Sequence, residues 1–276
     1  MSRFKRNEIG PFVESFFRTQ GDLAGKIVVD LPAGEGRMSW TLRELGATVE
    51  PYDLYPEFFK VEGLVCRPAD LERDLPIPSM HADYVVFQEG LEHLPDQLRP
   101  LREFNRILKH GGRLLLTTPN ASSLRARLCH FLLEGYLFNK LPINETSAIR
   151  FLDPVERRYY FGHVFLIGAQ RLRILARIAG FRVAGIHRNR FSAGSVLLGV
   201  IYPVLCLMNL LAYQQTRRRY RQLDQHWVRQ SLREVMALNL HPYILFTKKL
   251  FFELEKIGEP DEVSEAFVKQ AKEPAG

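Results

Sequence analysis

The amino-acid sequence predicts an open, doubly wound α/β fold with a mostly parallel sheet, on three observations. The first is residues 26–37, KIVVDLPAGEGR, where an apolar run from Ile27 to Val29 ends in Asp30 and enters a loop holding Gly34 and Gly36. That order suits a buried parallel strand feeding a tight turn at the carboxyl edge of a sheet, where open α/β folds hold nucleotide-like ligands. The second is an alternation of strand-like and helix-like runs in which acids fall at the strand ends: Asp30, Asp53, Asp70 and Glu89. The third is size: 276 residues at 46% hydrophobic content can bury a full core and suggest one domain with insertions.

Each element has its own reason. After the first strand, glycine lets backbone amides approach a ligand with no Cβ in the way. Met38 to Leu45 reads as a helix stopped by Gly46, and ATVEPYD as a second strand closing on Asp53. A short strand is expected around Leu64 to Cys66, before Asp70 and Leu71, and a fourth from Tyr84 to Phe87, ending in Gln88 and Glu89. LREFNRILKHGGRLLLTTPN supplies a helix, a Gly111-Gly112 stop and a fifth strand, Arg113 to Thr118; Ala169 to Ala179 is a helix stopped by Gly180 and followed by a sixth strand. Each acid has a local alternative as a turn or helix cap. Four acids all at strand carboxyl ends are more than capping requires.

The loop residues separate two ligand classes. A dinucleotide fingerprint wants G-x-G-x-x-G, whereas the series here is Gly34, Gly36, Ser39, preceded by Pro32 and Ala33. An acid directly before the loop sits poorly beside a diphosphate and well beside a cationic ligand such as a sulfonium. An NAD(P)-dependent oxidoreductase is therefore the disfavoured alternative.

The loop resembles motif I of class I S-adenosylmethionine-dependent methyltransferases, with Pro32 standing where the motif has its first glycine. The later segments resemble the same family in order, including the "EHL" triplet, Glu92 to Leu94, that opens a helix in that family. HVFLIGAQRLRILARIAGFRV resembles a signature of the branch that holds ubiquinone-pathway and many sugar or lipid O-methyltransferases, with His163 at its histidine. The resemblance implies a seven-strand, Rossmann-like methyltransferase fold whose last strand, near Lys248 to Glu255, returns antiparallel between strands five and six. It implies S-adenosylmethionine as the cofactor. Asp30 and the amides of Ala33, Gly34 and Gly36 would hold its methionine part, Asp53 the ribose, and Asp70 with Leu71 the adenine; Gln88 is a further contact. The reaction implied is O-methylation of a lipophilic or lipid-linked acceptor. A base near pH 7 would help remove the hydroxyl proton, which makes His163, His93 and Glu89 the catalytic candidates. No metal is predicted, because Glu89 has no convincing second ligand in the sequence.

Domain organisation follows from these segments. Residues 1–25 form an N-terminal helical segment expected to pack over the cofactor; residues 26–190 form the core, with a substrate-covering insertion at about 121–162; residues 240–276 hold the last strand and a tail. Residues 191–239 are the unusual part. Residues 191–216 carry no charge, with Arg188 and Arg190 before them and Arg217 to Arg221 largely basic after them. The length permits a span, but a span would strand the last strand across the membrane from its sheet. Two helical halves bent near Pro203, dipping into one leaflet, satisfy both constraints, and the net charge of +7 fits an anionic membrane surface contacted through residues 191–221. A buried helical insertion or a dimer interface remains the alternative. Cys66, Cys129 and Cys206 show neither metal spacing nor a disulfide framework, which fits a cytoplasmic protein at the inner face of the membrane. Nucleic acid is disfavoured, since the basic residues border apolar sequence instead of alternating with aromatics. A non-catalytic, membrane-attached binding or scaffold protein of the same fold is the second function class.

Overall fold

The computed structural model describes residues 9–152, 159–222 and 225–272. Part of the expected N-terminal segment and part of the substrate-covering insertion therefore lie outside the described residues. In chain order, α1 (Gly10–Thr19) leads into β1 (Ile27–Asp30), α2 (Arg37–Glu44), β2 (Thr48–Asp53) and the two-residue β3 (Arg67–Pro68). β4 (Ala82–Gln88), α3 (Leu98–Ile107) and β5 (Leu108–Pro119) follow. The next stretch contributes α4 (Leu124–Leu133), the short α5 (Glu145–Ala148), a hairpin of β6 (Ile149–Leu152) and β7 (Tyr159–Phe161), then α6 (Ala169–Ile178) and β8 (Phe181–Ile186). Last come α7 (Ala193–Leu197), α8 (Tyr202–Arg219), α9 (Gln225–Leu240), α10 (Pro242–Leu245), β9 (Lys249–Lys256) and α11 (Pro260–Lys272).

The seven-stranded sheet runs β3-β2-β1-β4-β5-β9-β8. β1 to β5 pair in parallel, and β9 runs antiparallel between β5 and β8, as expected of the last strand. Strand periodicity explains why both faces are covered. Val28, Val86, Leu115 and Phe251 join one buried cluster with Val13, Phe17, Met38 and Leu42 of α1 and α2. Their strand neighbours Val29, Phe87, Leu116 and Phe252 join the other, with Phe104 of α3 and Leu172 of α6. Burying each such side chain is worth about 1.5–3 kcal/mol. The strand order reverses between β1 and β4, which opens a crevice at the carboxyl ends of those strands.

Several elements differ from expectation for local reasons. The third strand falls at Arg67–Pro68 rather than Leu64 to Cys66, where Tyr52 and Asp53 meet it in register; at the sheet edge Pro68 has no ladder bond to donate. The "EHL" triplet forms a single 3-10 turn, Leu91–His93, and α3 begins only at Leu98. Pro95 explains the gap, since the residue before a proline avoids helix and Leu94 is extended. Gly111 and Gly112 lie inside β5, not before it: Leu108 already pairs with Ala82, and the glycines occupy an irregularity before Arg113 meets Tyr84. α1 packs on the sheet beside α2, tied by Glu14 to Arg37 at 2.8 Å just after the glycine loop.

The apolar segment also departs from two dipping halves. Its break is the 3-10 turn Leu198–Ile201, and Pro203 sits in the first turn of α8, where its missing N–H is no loss. α8 is one helix of 18 residues with no buried residue. Asn239 of α9 donates to Asn209 at 2.9 Å, and Gln170 of α6 donates to Asn239 at 2.9 Å, so amide contacts lash α8 to α9 and α9 to the core. Ala193–Arg219 is long and apolar enough to cross a membrane by length and composition, and 6% of its most apolar window is buried. α8 therefore lies along the protein with its apolar side exposed, instead of being packed away as a buried insertion.

Candidate active site

The loop after β1 is held by the acid that ends β2. Asp53 accepts from the Gly34 amide at 2.8 Å and from the Tyr55 amide at 2.9 Å, which joins the first two strand tips. Gly36 has φ 90, and a Cβ there would stand 2.5 Å from Val61 Cγ2 and 2.6 Å from the Phe59 ring. Only glycine meets both conditions. Asp30 is turned beneath the loop, 1% exposed, with Ser39 donating to it at 2.6 Å. Burial pushes its carboxyl up to about 7, and the neighbouring Asp53 charge adds to that.

Beside this loop lies a cavity of about 270 Å³. Leu31, Pro32, Asp70, Leu71, Glu89 and His93 line it. The β6–β7 hairpin roofs it: Phe151 stacks on Tyr160 with centroids 4.5 Å apart, and Tyr55 meets both rings at 5.9 and 6.1 Å. Asp70 accepts from the Glu72 amide at 2.9 Å, which sets the loop that carries Leu71. Gln88 Oε1 and Glu89 Oε1 are buried acceptors with no hydrogen-bond partner among the described residues. Acids at the rim, an open glycine loop and two unfilled acceptors suit a ligand with hydroxyls, an ammonium and a sulfonium.

The turn after β4 carries the reactive groups. Glu89 sits at φ 53, and a Cβ on Gly90 would overlap the Phe87 ring, so the chain bends sharply as the strand ends. Glu89 pairs with Lys249, the first residue of β9. Glu92 is fully buried and accepts from Thr118 at 3.0 Å. Burial, then the Glu89 charge, pushes Glu92 up to about 7. His93 Nδ1 stands 2.9 Å from the Phe161 carbonyl and 3.0 Å from that of Gly162. Carbonyls only accept, so Nδ1 carries the proton and Nε2 keeps its lone pair. Burial holds His93 below the usual histidine value.

His163 stands against His93 with ring centroids 4.8 Å apart, and it lines a second, larger cleft of about 1150 Å³. Tyr136, Leu137, Leu141, Ile143 and Val164 give this cleft an apolar wall, and Lys140 and Arg150 add cations. Burial, followed by His93 and the cations Lys249, Arg150 and Lys140, pushes His163 down to about 4. The insertion thus serves two sites: its hairpin covers the smaller cavity, and the residues on either side frame the cleft.

Of the residues expected from sequence, Asp70, Leu71, Glu89 and His93 meet at the cavity, Asp53 and Gly34 brace it, and His163 joins from the cleft. Sequence reasoning missed Lys249, 160 residues from Glu89, and Arg150, which lines both spaces. A lysine directly before the apolar run Leu250 to Phe252 was the available signal for Lys249. Glu92, His93 and His163 also bring a ligand atom each to within 4.8 Å of one another, a grouping that joins the 3-10 turn after β4 to the insertion.

Comparison with known proteins agrees with this geometry. Residues 1–185 match the family described as a methyltransferase domain. A ubiquinone biosynthesis O-methyltransferase of Xanthomonas oryzae pv. oryzae is 33% identical over 144 residues, covering 49% of this chain and 60% of that protein. The protein of the same name from Ralstonia nicotianae is 29% identical over 165 residues, 56% of this chain and 69% of the relative. The chain thus spans about 60% of the length of the first of these relatives. A Listeria monocytogenes protein assigned to the S-adenosylmethionine dependent methyltransferases shares the fold, with a TM-score of 0.51 at 10% identity over 91% of this chain and 99% of that one.

Proposed function

The chain belongs to the methyltransferase domain family, and from that premise we propose that it transfers a methyl group from S-adenosylmethionine to an oxygen of a lipophilic or lipid-linked acceptor at a membrane surface. One observation carries the reading: His93 from the cavity and His163 from the cleft touch at 4.8 Å, so two ligand spaces meet at a pair of imidazoles. When bound, S-adenosylmethionine supplies an electrophilic methyl on a sulfonium. Asp53 would take the ribose hydroxyls, and Asp70 and Leu71 the adenine. Asp30 lies buried beneath the loop, and the amides of Ala33, Gly34 and Gly36 already donate to Tyr52, Asp53 and Ala33, so these groups would shape the methionine end from behind rather than bond to it. Gln88 Oε1 offers a further acceptor.

The main requirement of a displacement at carbon is alignment, and the rest of the site serves it. The hairpin excludes water from the cavity, and Tyr136 and the apolar wall hold the acceptor. His93, its Nδ1 fixed by two carbonyls, presents Nε2 to the hydroxyl proton. His163 is neutral at physiological pH, so it can accept a hydrogen bond from the same hydroxyl. The relatives' name, ubiquinone biosynthesis O-methyltransferase, supports oxygen as the methylated atom and a hydrophobic acceptor.

The membrane part rests on α7 and α8. Leu197 is 79% and Val200 81% exposed, and Arg188, Arg190, Arg217, Arg218, Arg219 and Arg221 border the segment. A helix lying in the interface plane at the cytoplasmic face buries its apolar side and sets arginines against anionic lipid. Calorimetric titration of the full chain with S-adenosylhomocysteine tests the central reading. Saturable binding that falls at least about tenfold in Asp53→Ala is expected, since a charge-assisted bond is worth about 1.5–3 kcal/mol; no binding heat would remove the enzyme reading.

A further inference from the structure

We propose that the acceptor carries an anionic group, a phosphate or a carboxylate, seated between Lys140 and Arg150 beside the hydroxyl that is methylated. This deepens the methyltransferase reading and rests on it.

Among the described residues, the cleft has a cationic wall. Lys140 and Arg150 both line it, and neither side chain forms an ion pair or hydrogen bond among the described residues. Glu134 is the only carboxylate among the lining residues. Lys249, the next cation inward, is already matched by Glu89. Arg127, on the helix whose Ala126 and His130 wall the cleft, is a further guanidinium with no partner among the described residues, and burial disfavours its charge. Cations on an open surface need no counter-charge, because water solvates them. These two converge on one concave space beside His163. A concave wall of one sign concentrates ligands of the other sign.

Position refines the inference. Arg150 lines both the cavity and the cleft, so it stands at the junction where the methyl group must pass. An anion held by its guanidinium lies next to the reacting hydroxyl and anchors it. Planar, bidentate pairing with a carboxylate or phosphate oxygen pair gives such an anchor direction as well as energy. The remaining wall, Leu137, Leu141, Pro142, Ile143 and Leu166, is apolar. The fitting ligand is an amphiphile with an anionic group at the reactive end.

The test uses the full chain, titrated with octyl phosphate and octanoate below their micelle concentrations and octanol below its solubility limit, with and without saturating S-adenosylhomocysteine. The two anions should bind at least about tenfold tighter than octanol, the gain of one charge-assisted pair. That preference should vanish in Lys140→Gln/Arg150→Gln and survive in Arg217→Gln/Arg218→Gln/Arg219→Gln. Both Lys140 and Arg150 are exposed, so the variant should fold, and an unchanged circular-dichroism spectrum and thermal midpoint would verify it. Equal binding of octanol and octyl phosphate overturns the proposal, as does a preference that follows the Arg217 to Arg219 variant instead. Inorganic phosphate that competes as well as octyl phosphate supports an anion on a soluble acceptor; octyl phosphate binding that inorganic phosphate leaves intact supports one on a lipid. S-adenosylhomocysteine binding without anion preference defeats this inference alone, whereas loss of S-adenosylhomocysteine binding defeats the reading beneath it.

Discussion

Residues 26–120 and residues 121–219 build their parts of the site in opposite ways. The first stretch places acids at the tips of paired strands, and sheet register fixes their spacing: Asp30 lies opposite Pro51, and Asp53 opposite Pro68. Its strand side chains are largely buried, and its loops are braced by backbone bonds to Asp53 and Asp70. The second stretch uses a hairpin, a cleft wall and an exposed apolar helix, with side chains that face ligand or solvent. The first half suits a ligand of fixed shape, and the second a ligand that varies. Scaffold ends are rigid because the whole core holds them, while insertions are free to change because little depends on them.

This contrast can be broken at named residues. The largest effect is expected at Asp30, which burial holds near 7. A carboxyl raised in the fold binds a proton that the unfolded chain has released, so its ionisation destabilises increasingly as pH rises from about 4 to about 7. Asp30→Asn should therefore gain stability across that window, by up to about 2–4 kcal/mol above pH 7, while S-adenosylhomocysteine affinity falls. Urea denaturation at pH 5 and pH 8 measures it; an equal change at both would contradict the assignment. Gly36→Ala comes next, with a loss of about 1–3 kcal/mol from its positive φ and the crowding by Val61 and Phe59. Thermal unfolding reads that loss, and a neutral outcome would mean that the 59–61 loop yields. The smallest effect on stability is expected in the second region: Leu197→Gln/Val200→Gln/Leu207→Gln should stay within about 0.5 kcal/mol of wild type yet abolish flotation with anionic liposomes. Flotation equal to wild type would remove the membrane contact.

What could be read from the chain divides along the same line. The parallel strands and the acids at their tips were legible as short apolar runs ending in a carboxylate, whereas the antiparallel return of β9 was expected only from the family resemblance. The start of α3 was misplaced because Pro95 outweighs a triplet that opens a helix in the resembling family. The pairing of Glu89 with Lys249, the carbonyls of Phe161 and Gly162 on His93, and the Asn209–Asn239 contact join residues far apart in sequence. No window of the sequence contains both partners, so only the fold brings them together. Exposure is the other hidden quantity: the apolar run at 193–219 reads alike as a core helix or a surface one until α9 is seen to cover only one side.

The central claim is methyl transfer at the meeting point of the two spaces, and transfer of tritium from methyl-labelled S-adenosylmethionine into a membrane lipid extract tests it most directly. The wild-type chain should label a lipid that gains one CH₂, and His93→Gln should label it at least about a hundredfold more slowly, the usual worth of a positioned base, with S-adenosylhomocysteine affinity retained. Labelling undiminished in His93→Gln would contradict the account, and so would a chain that binds S-adenosylhomocysteine but labels no lipid.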